Sequence, residues 1–180
     1  MTKLDINLDK ASHKWKRAFP LMQAKIEEAA AYTFLQAKKP AAFKRRAFEI
    51  NIILTDDSNV KTLNKSYRGK NKPTNVLSFP QINMQKFRRT SLDIFPVRSA
   101  IPLGDIVLGF QTIRAECLKQ DKTLENHVIH LIVHGTLHLL GYDHMRLREA
   151  NAMEKLECDI LDALGYPAPY EKSHIKKIKH

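Results

Sequence analysis

Three histidines and a glycine near residue 140 have the types and the spacing to bind a metal ion. His134 and His138 would project from the same face of a helix, one turn apart. Gly141 can adopt a positive φ, which would end the helix and turn the chain so that His144 returns to the other two imidazoles. Three converging imidazoles leave one tetrahedral position open for water or substrate, which is the arrangement of a catalytic zinc ion. The pattern therefore predicts one Zn²⁺ ion, and it would also suit nickel, cobalt or copper.

Two further histidines on the same predicted helix need separate assignments. His130 lies one turn before His134, but it would be about 12 Å from His138 along a straight helix axis. Zinc–nitrogen bonds are about 2.0–2.1 Å long, so His130 and His138 cannot share one ion. We expect His130 to support a ligand or to pack in the core, and His127 to be a surface or packing residue.

The charge of the chain favours a polyanionic partner. There are 30 Lys and Arg residues against 19 Asp and Glu residues, which gives a formal net charge of +11 and a pI near 9.7. Nucleic acid is the first candidate, and a generally basic surface without a specific partner is the alternative. Cys117 and Cys158 form no CxxC motif, and from the composition of the sequence we expect neither a signal peptide nor a transmembrane helix. We therefore expect a cytoplasmic protein.

Hydrophobic periodicity predicts an α+β fold. The predicted strands cover an opening segment around residues 4–8 and then 48–54, 75–79 and 105–109, and the predicted helices cover 21–37, 56–67, 111–119, 125–140 and 146–164. The helix at 125–140 is apolar nearly all round, so it should be buried. We expect a small mixed sheet of about four strands, packed with helices around this central helix, which carries metal ligands. A single domain would span residues 1–170, with a loop at 81–102 and a disordered basic tail at 171–180.

Basic residues upstream of the histidines could bind phosphate. Arg68, Lys70 and Lys72 lie within five residues, in a segment with the Gly and Pro of a loop. A guanidinium beside a zinc ion would bind phosphate oxygens in pairs and stabilise charge that develops at phosphorus. The alternative is a solvated basic loop. Asp143, next to His144, could serve as a general base, but orienting a ligand is the favoured role.

The sequence resembles the YbeY family. The resemblance is carried by the histidine motif, by the stretch Tyr67-Arg68-Gly69-Lys70, by the run from Thr74 to Pro80 and by Leu103-Gly104-Asp105-Ile106. It implies a single-strand-specific, zinc-dependent endoribonuclease in ribosomal RNA processing, including maturation of the 3' end of 16S rRNA, and in ribosome quality control. Its partners would be single-stranded RNA and the small ribosomal subunit with its assembly factors, and no membrane.

The resemblance also implies roles for individual residues. Zinc would be bound by His134, His138 and His144. Arg68 would be a catalytic or RNA-binding residue, and we take Arg68 and His134 as the catalytic pair. Lys70 and Lys72 are then candidates for binding RNA.

Two other functions fit parts of the pattern. The ligand spacing matches that of metzincin proteases, but the glutamate those enzymes use as general base is replaced by Gly135. A ribosome-assembly factor with a structural zinc is the third hypothesis. Structural zinc normally has four protein ligands, and only three are evident unless His130 or Asp143 supplies a fourth.

Overall fold

The computed structural model describes residues 3–19, 21–40, 43, 46–84, 95–96, 99–144 and 146–170. The predicted tail at 171–180 and most of the predicted loop at 81–102 lie outside these residues. In chain order the elements are β1 (Lys3–Lys10), α1 (His13–Ala18), α2 (Met22–Gln36), β2 (Ala47–Thr55), α3 (Asp57–Arg68), β3 (Val76–Pro80), β4 (Ile101–Gly109), α4 (Phe110–Gln120), α5 (Leu124–Leu139) and α6 (Leu147–Ala163).

The four strands form one mixed sheet in the order β1-β2-β4-β3. The β1–β2 and β2–β4 pairs are parallel, and β3 runs antiparallel to β4 at the edge. Alternate residues of β2 are buried, because successive side chains of a strand point to opposite faces and one face meets the helices. The predicted fold class is confirmed.

Strand β4 begins earlier than the sequence indicated. The predicted loop extended to Pro102, but β4 starts at Ile101, which pairs with Phe48 of β2. Proline has no N–H to donate, so it is tolerated where a strand has a neighbour on one side only. The β3–β4 pairing ends at Gly104, which leaves Pro102 flanked by β2 alone.

Helix α1 was not predicted, because it has six residues and only one buried side chain. That side chain is Trp15, whose Nε1 donates to the carbonyl oxygen of Thr55 at 3.0 Å. The Trp15 and Phe110 rings meet edge to face, with centroids 5.1 Å apart. One aromatic anchor therefore fixes a helix too short for periodicity to reveal.

Helix α5 is the buried centre of the domain and lies between the sheet and the helices α2 and α6. Thr123 caps it by accepting a hydrogen bond from the Asn126 backbone N–H at 3.1 Å. Close approach to the sheet depends on Gly135, where an added Cβ would lie 2.9 Å from Cγ2 of Ile106. Among the described residues, no helix is long and apolar enough to cross a membrane.

Candidate metal centre

The end of α5 turns the chain so that the third histidine faces the first two. Gly141 has φ +85°, which confirms the predicted left-handed conformation. Its N–H donates to the carbonyl of His138, and the N–H of Tyr142 donates to the carbonyl of Leu137, both at 3.0 Å. This pair of bonds is a Schellman motif, which satisfies the last carbonyls of the helix and reverses the chain. His144 follows directly after this reversal.

The structure brings the three predicted ligands together. One ligand atom from each of His134, His138 and His144 lies within 4.8 Å of the other two. The Nε2 atoms of His134 and His138 are 3.0 Å apart. The first two histidines are half-buried and His144 is exposed, so the cluster opens on one side to solvent.

The hydrogen bonds behind the imidazoles fix which nitrogens face the cluster. Nδ1 of His134 is 2.7 Å from Oε1 of Glu157, and Nδ1 of His138 is 3.0 Å from the carbonyl oxygen of Tyr142. Both partners are acceptors, so each Nδ1 carries a proton and each ring turns Nε2 toward the cluster. Two imidazole nitrogens 3.0 Å apart need either a shared proton or a bound cation between them. Two bonds of about 2.0–2.1 Å in tetrahedral geometry would place the nitrogens about 3.3 Å apart, close to the arrangement seen.

The protonation states agree with metal binding. Burial, followed by the charges of His134 and His144, lowers the pKa of His138 to about 4. His138 is therefore neutral near pH 7, as a metal ligand must be. Burial alone would raise the pKa of Glu157, but hydrogen bonds from His130, His134 and Tyr170 outweigh it and hold that pKa at about 2. Glu157 is thus an ionised carboxylate behind His134.

Glu157 was missed by the sequence reasoning. It lies on α6 and is completely buried, where its carboxylate accepts hydrogen bonds from Nδ1 of His134 and from the hydroxyl of Tyr170. A signal was present, since Glu157 falls four residues after Met153 and three before Ile160, on the buried side of an amphipathic helix. An acidic residue in such a position requires a cationic or hydrogen-bonding partner.

The other two histidines of α5 lie behind the cluster. Nε2 of His130 is 3.4 Å from Oε2 of Glu157, so His130 stands beside the carboxylate and outside the three-histidine group. His127 is buried, with Nε2 2.7 Å from Oε2 of Glu116, which matches a packing role. Among the described residues, no fourth His, Cys, Asp or Glu joins His134, His138 and His144.

Arg68 lies on the same cleft as the histidines. It is the last residue of α3, and Gly69 ends that helix with φ +67°. A cleft of about 760 Å³ is lined by Arg68 on one side and by His138 and His144 on the other. Nη2 of Arg68 donates to the carbonyl oxygen of Ser78 on β3 at 3.3 Å. This bond holds the guanidinium at the edge of the sheet, and its other donors make no further hydrogen bond to the residues that the structure describes.

The remaining predicted site residues occupy different places. Asp143 lines the cleft, and its Oδ1 accepts a hydrogen bond from the backbone N–H of His144, a predicted ligand, at 2.7 Å. Lys70 and Lys72 are exposed on the loop after α3 and do not line the cleft. The side-chain amide of Asn64 holds that loop by donating to the carbonyl of Lys72 at 2.7 Å.

Gly135 shows why the protease chemistry does not fit. In a metzincin the corresponding glutamate would extend beside the metal. Here a Cβ at Gly135 would lie 2.9 Å from Cγ2 of Ile106 and 3.2 Å from Oγ of Ser78. The position is filled by the sheet, so this helix has no room for a general base there.

Comparison with known proteins decides the family. A sequence profile of the family described as Endoribonuclease YbeY matches residues 11–165. The chain belongs to the YbeY family. A YbeY relative from Paramagnetospirillum magneticum is 41% identical over 169 residues, which cover 93% of this chain and 96% of the relative. A YbeY relative from Rhizobium etli is 37% identical over 182 residues, covering 98% of each chain. Both relatives carry the name Endoribonuclease YbeY.

A solved structure has a similar fold. The solution structure of a Thermotoga maritima protein matches 93% of this chain and 97% of its own, with a TM-score of 0.50 and 20% sequence identity. At that sequence identity the match shows a shared fold and nothing about function. The predicted YbeY resemblance is confirmed by the family profile and by the relatives.

Proposed function

We propose that this chain is a metal-dependent endoribonuclease that cleaves single-stranded RNA in ribosomal RNA processing. The observation that carries the proposal is one cleft lined by Arg68, His138 and His144, in a chain of formal net charge +11. The relatives' name, Endoribonuclease YbeY, supports the reaction class. Maturation of the 3' end of 16S rRNA, ribosome quality control, association with the small ribosomal subunit and its assembly factors, and a cytoplasmic location belong to the same proposal.

The proposed cofactor is one zinc ion held by His134, His138 and His144. Two imidazoles with facing Nε2 atoms, each ring oriented through Nδ1, are a donor set that suits Zn²⁺. When bound, the ion supplies a Lewis acid that lowers the pKa of water and offsets charge on a phosphate oxygen. Glu157 strengthens His134 as a donor, because its negative charge lies against the opposite side of the ring.

Arg68 gives the cleft its second cationic group. Its hydrogen bond to Ser78 aims the guanidinium along the edge of β3, and the remaining N–H groups can pair with two oxygens of one phosphate. Charge on a phosphodiester increases as it is hydrolysed, so a fixed cation beside it stabilises the transition state more than the ground state. Asp143 holds His144 in position through the backbone and completes the wall of the cleft.

The first test separates Arg68 from the metal. Arg68→Ala should lower cleavage of a single-stranded RNA by about 10²–10³-fold, the usual cost of one preorganised donor. Metal content and melting temperature should match the wild type, because Arg68 is exposed. Arg68→Lys should restore activity only in part, since an ammonium cannot pair with two oxygens at once.

The matched control is Arg114→Ala, which removes an exposed guanidinium from α4, away from the cleft. It should cleave RNA like the wild type. Arg68→Ala cleaving at the wild-type rate would mean that Arg68 is only a solvated residue and that the two-part site is wrong.

The second test concerns the ligands. His134→Ala, His138→Ala and His144→Ala should each lose stoichiometric zinc, whereas His130→Ala should keep it, because His130 lies behind Glu157. Metal analysis with His130→Ala empty and His144→Ala full would overturn the assignment. The alternative of an RNA-binding assembly factor with a structural zinc predicts instead that chelation unfolds the protein and that the wild type binds RNA without cleaving it.

A further inference from the structure

A second pocket adjoins the metal cleft at the edge strand. Its volume is about 490 Å³, which lies within the range of about 300–1,000 Å³ typical of small-ligand sites. The wall is formed by α3 and the outer face of the sheet, and it includes Tyr67, Phe79 and Asp105. None of the three histidines lines this pocket, so the proposed metal site does not account for it.

Tyr67 presents an exposed aromatic surface in this pocket. It is 71% exposed, although it lies within the regular helix α3. The ring lies 5.1 Å from the ring of Phe79, centroid to centroid, with the planes inclined by 59°. Phe79 thus supports one part of the tyrosine ring, and the remainder is open to a flat partner. Exposed aromatic rings beside cationic grooves are the usual platforms for bases of single-stranded nucleic acids.

The pocket and the metal cleft are continuous. Arg68, Ser78, Pro80 and Gln81 line both of them, so a chain that binds at the metal passes directly along the edge of β3 to Tyr67. Tyr67 and Arg68 are adjacent residues of α3. Both side chains line the second pocket, so a phosphate paired with Arg68 would place its neighbouring nucleotide within reach of the tyrosine.

We propose that Tyr67, supported by Phe79, stacks an unpaired nucleobase next to the phosphodiester that is cleaved. This subsite rests on the proposed endoribonuclease function and extends it by naming how the substrate is selected. A base inside a duplex is stacked on both faces and paired along its edge, so it cannot enter the pocket. The subsite would therefore contribute to selectivity for single strands.

The charge of the pocket favours a base over the phosphate backbone. Asp105 lies on its floor, and its Oδ1 accepts a hydrogen bond from the side-chain amide of Asn51 at 2.7 Å. A carboxylate repels phosphate but accepts hydrogen bonds from the amino groups of bases. Arg68 would therefore attract the phosphate to the cleft, and Asp105 would favour a base in the pocket.

The test uses the metal-loaded full chain and an oligoribonucleotide with one mapped cleavage site. Tyr67→Leu keeps apolar bulk but removes the aromatic face, and it should lower kcat/KM by about 5- to 150-fold, the range for loss of one stacked base. Tyr67→Phe should remain close to the wild type. Leu118→Ala, which shortens another exposed apolar side chain, on α4, is the matched control and should change nothing.

Abasic substitution identifies the partner of Tyr67. An oligoribonucleotide lacking the base at one position beside the cleaved bond should lose the same factor with the wild type, and Tyr67→Leu should show no further loss on it. This non-additivity is the signature of one contact removed from either side. A merely structural role for Tyr67 would give additive losses and a lower melting temperature.

The outcomes separate the two proposals. If the wild type does not cleave the RNA, the endoribonuclease function fails and the subsite fails with it. If the wild type cleaves and Tyr67→Leu cleaves equally well, the function stands and the subsite is rejected. Additive losses with the abasic RNA would also reject it, because Tyr67 would then act elsewhere.

Discussion

At the scale of single residues, Glu157 is the group that orients the imidazole ring of His134. Its carboxylate is completely buried, 2.7 Å from Nδ1 of His134, and it also accepts from the hydroxyl of Tyr170. Burial, followed by the charge of Glu157, raises the pKa of Tyr170, so that hydroxyl stays protonated as a donor. The two contacts hold the carboxylate in one place, and the carboxylate in turn holds the imidazole with Nε2 toward His138.

We expect Glu157→Gln to weaken metal binding by about 10–100-fold, the usual effect of losing a carboxylate behind a metal-bound histidine. The amide has nearly the same shape, but it has no charge to strengthen His134 as a donor. Competition against a chelator measures the change, with Glu149→Gln, on the exposed first turn of the same helix, as the control. Equal affinities for the two variants would contradict the role of Glu157.

At the scale of elements, the junction after α5 positions His144, the third proposed ligand. Gly141 provides the positive φ that the Schellman motif requires, and it packs against Met84. A Cβ at Gly141 would lie 2.5 Å from Cβ of Met84, closer than two such carbons can approach. The turn therefore tolerates neither a side chain nor a different backbone conformation without moving His144.

Gly141→Ala should lower the free energy of unfolding by at least the cost of a left-handed residue, about 1–2 kcal/mol, and should also weaken metal binding. Gly165→Ala is the matched control, because Gly165 has φ +78° but nothing within 4 Å of an added Cβ. The control should lose stability through the backbone term alone and keep its metal affinity. Chemical denaturation and metal titration measure the two effects, and equal metal affinities would refute the positioning role of this turn.

At the scale of the whole molecule, we expect the positive net charge to govern association with RNA. The excess of 30 basic over 19 acidic residues predicts that binding releases counterions from the phosphates. The logarithm of the RNA association constant should therefore fall linearly with the logarithm of salt concentration, with a slope of about −0.7 for each phosphate neutralised on a single strand. Binding that does not change between low and physiological salt would show that the charge serves another purpose.

The buried titratable groups predict acid sensitivity for the metal-free protein. The pKa of His138 in the folded protein, about 4, lies below the ordinary histidine value of 6.5, so the unfolded chain takes up the proton first as the pH falls. Stability should therefore decrease as the pH falls from about 6.5 toward 4. The contribution of Glu157 is present above the ordinary glutamate pKa of 4.5 and is lost as the pH falls toward its folded-state pKa of about 2.

Melting temperatures of chelator-treated protein, measured across this pH range, test the expectation. His138→Gln should flatten the part between pH 6.5 and about 4, since the titrating imidazole is then absent. A wild-type melting temperature that stays constant through this window would rule out His138 as its source.

The sequence by itself determined the features that depend on short stretches of chain. The spacing of His134, His138, Gly141 and His144 was enough to predict that the three histidines converge. One helical turn and one left-handed residue are local geometry, which the sequence specifies directly. The central helix, the strand β2 and the charge surplus followed from periodicity and composition. The YbeY resemblance followed from motifs of the same local kind.

Only the tertiary structure decided what comes from separate elements. Glu157 reaches His134 because α6 packs on α5, and Arg68 reaches the cleft because the end of α3 lies against β3. The early start of β4 and the anchoring of α1 through Trp15 also depend on partners that are distant in sequence. Periodicity gives the buried face of each element but not its neighbour, so contacts between elements far apart in the chain become visible only when the elements are packed.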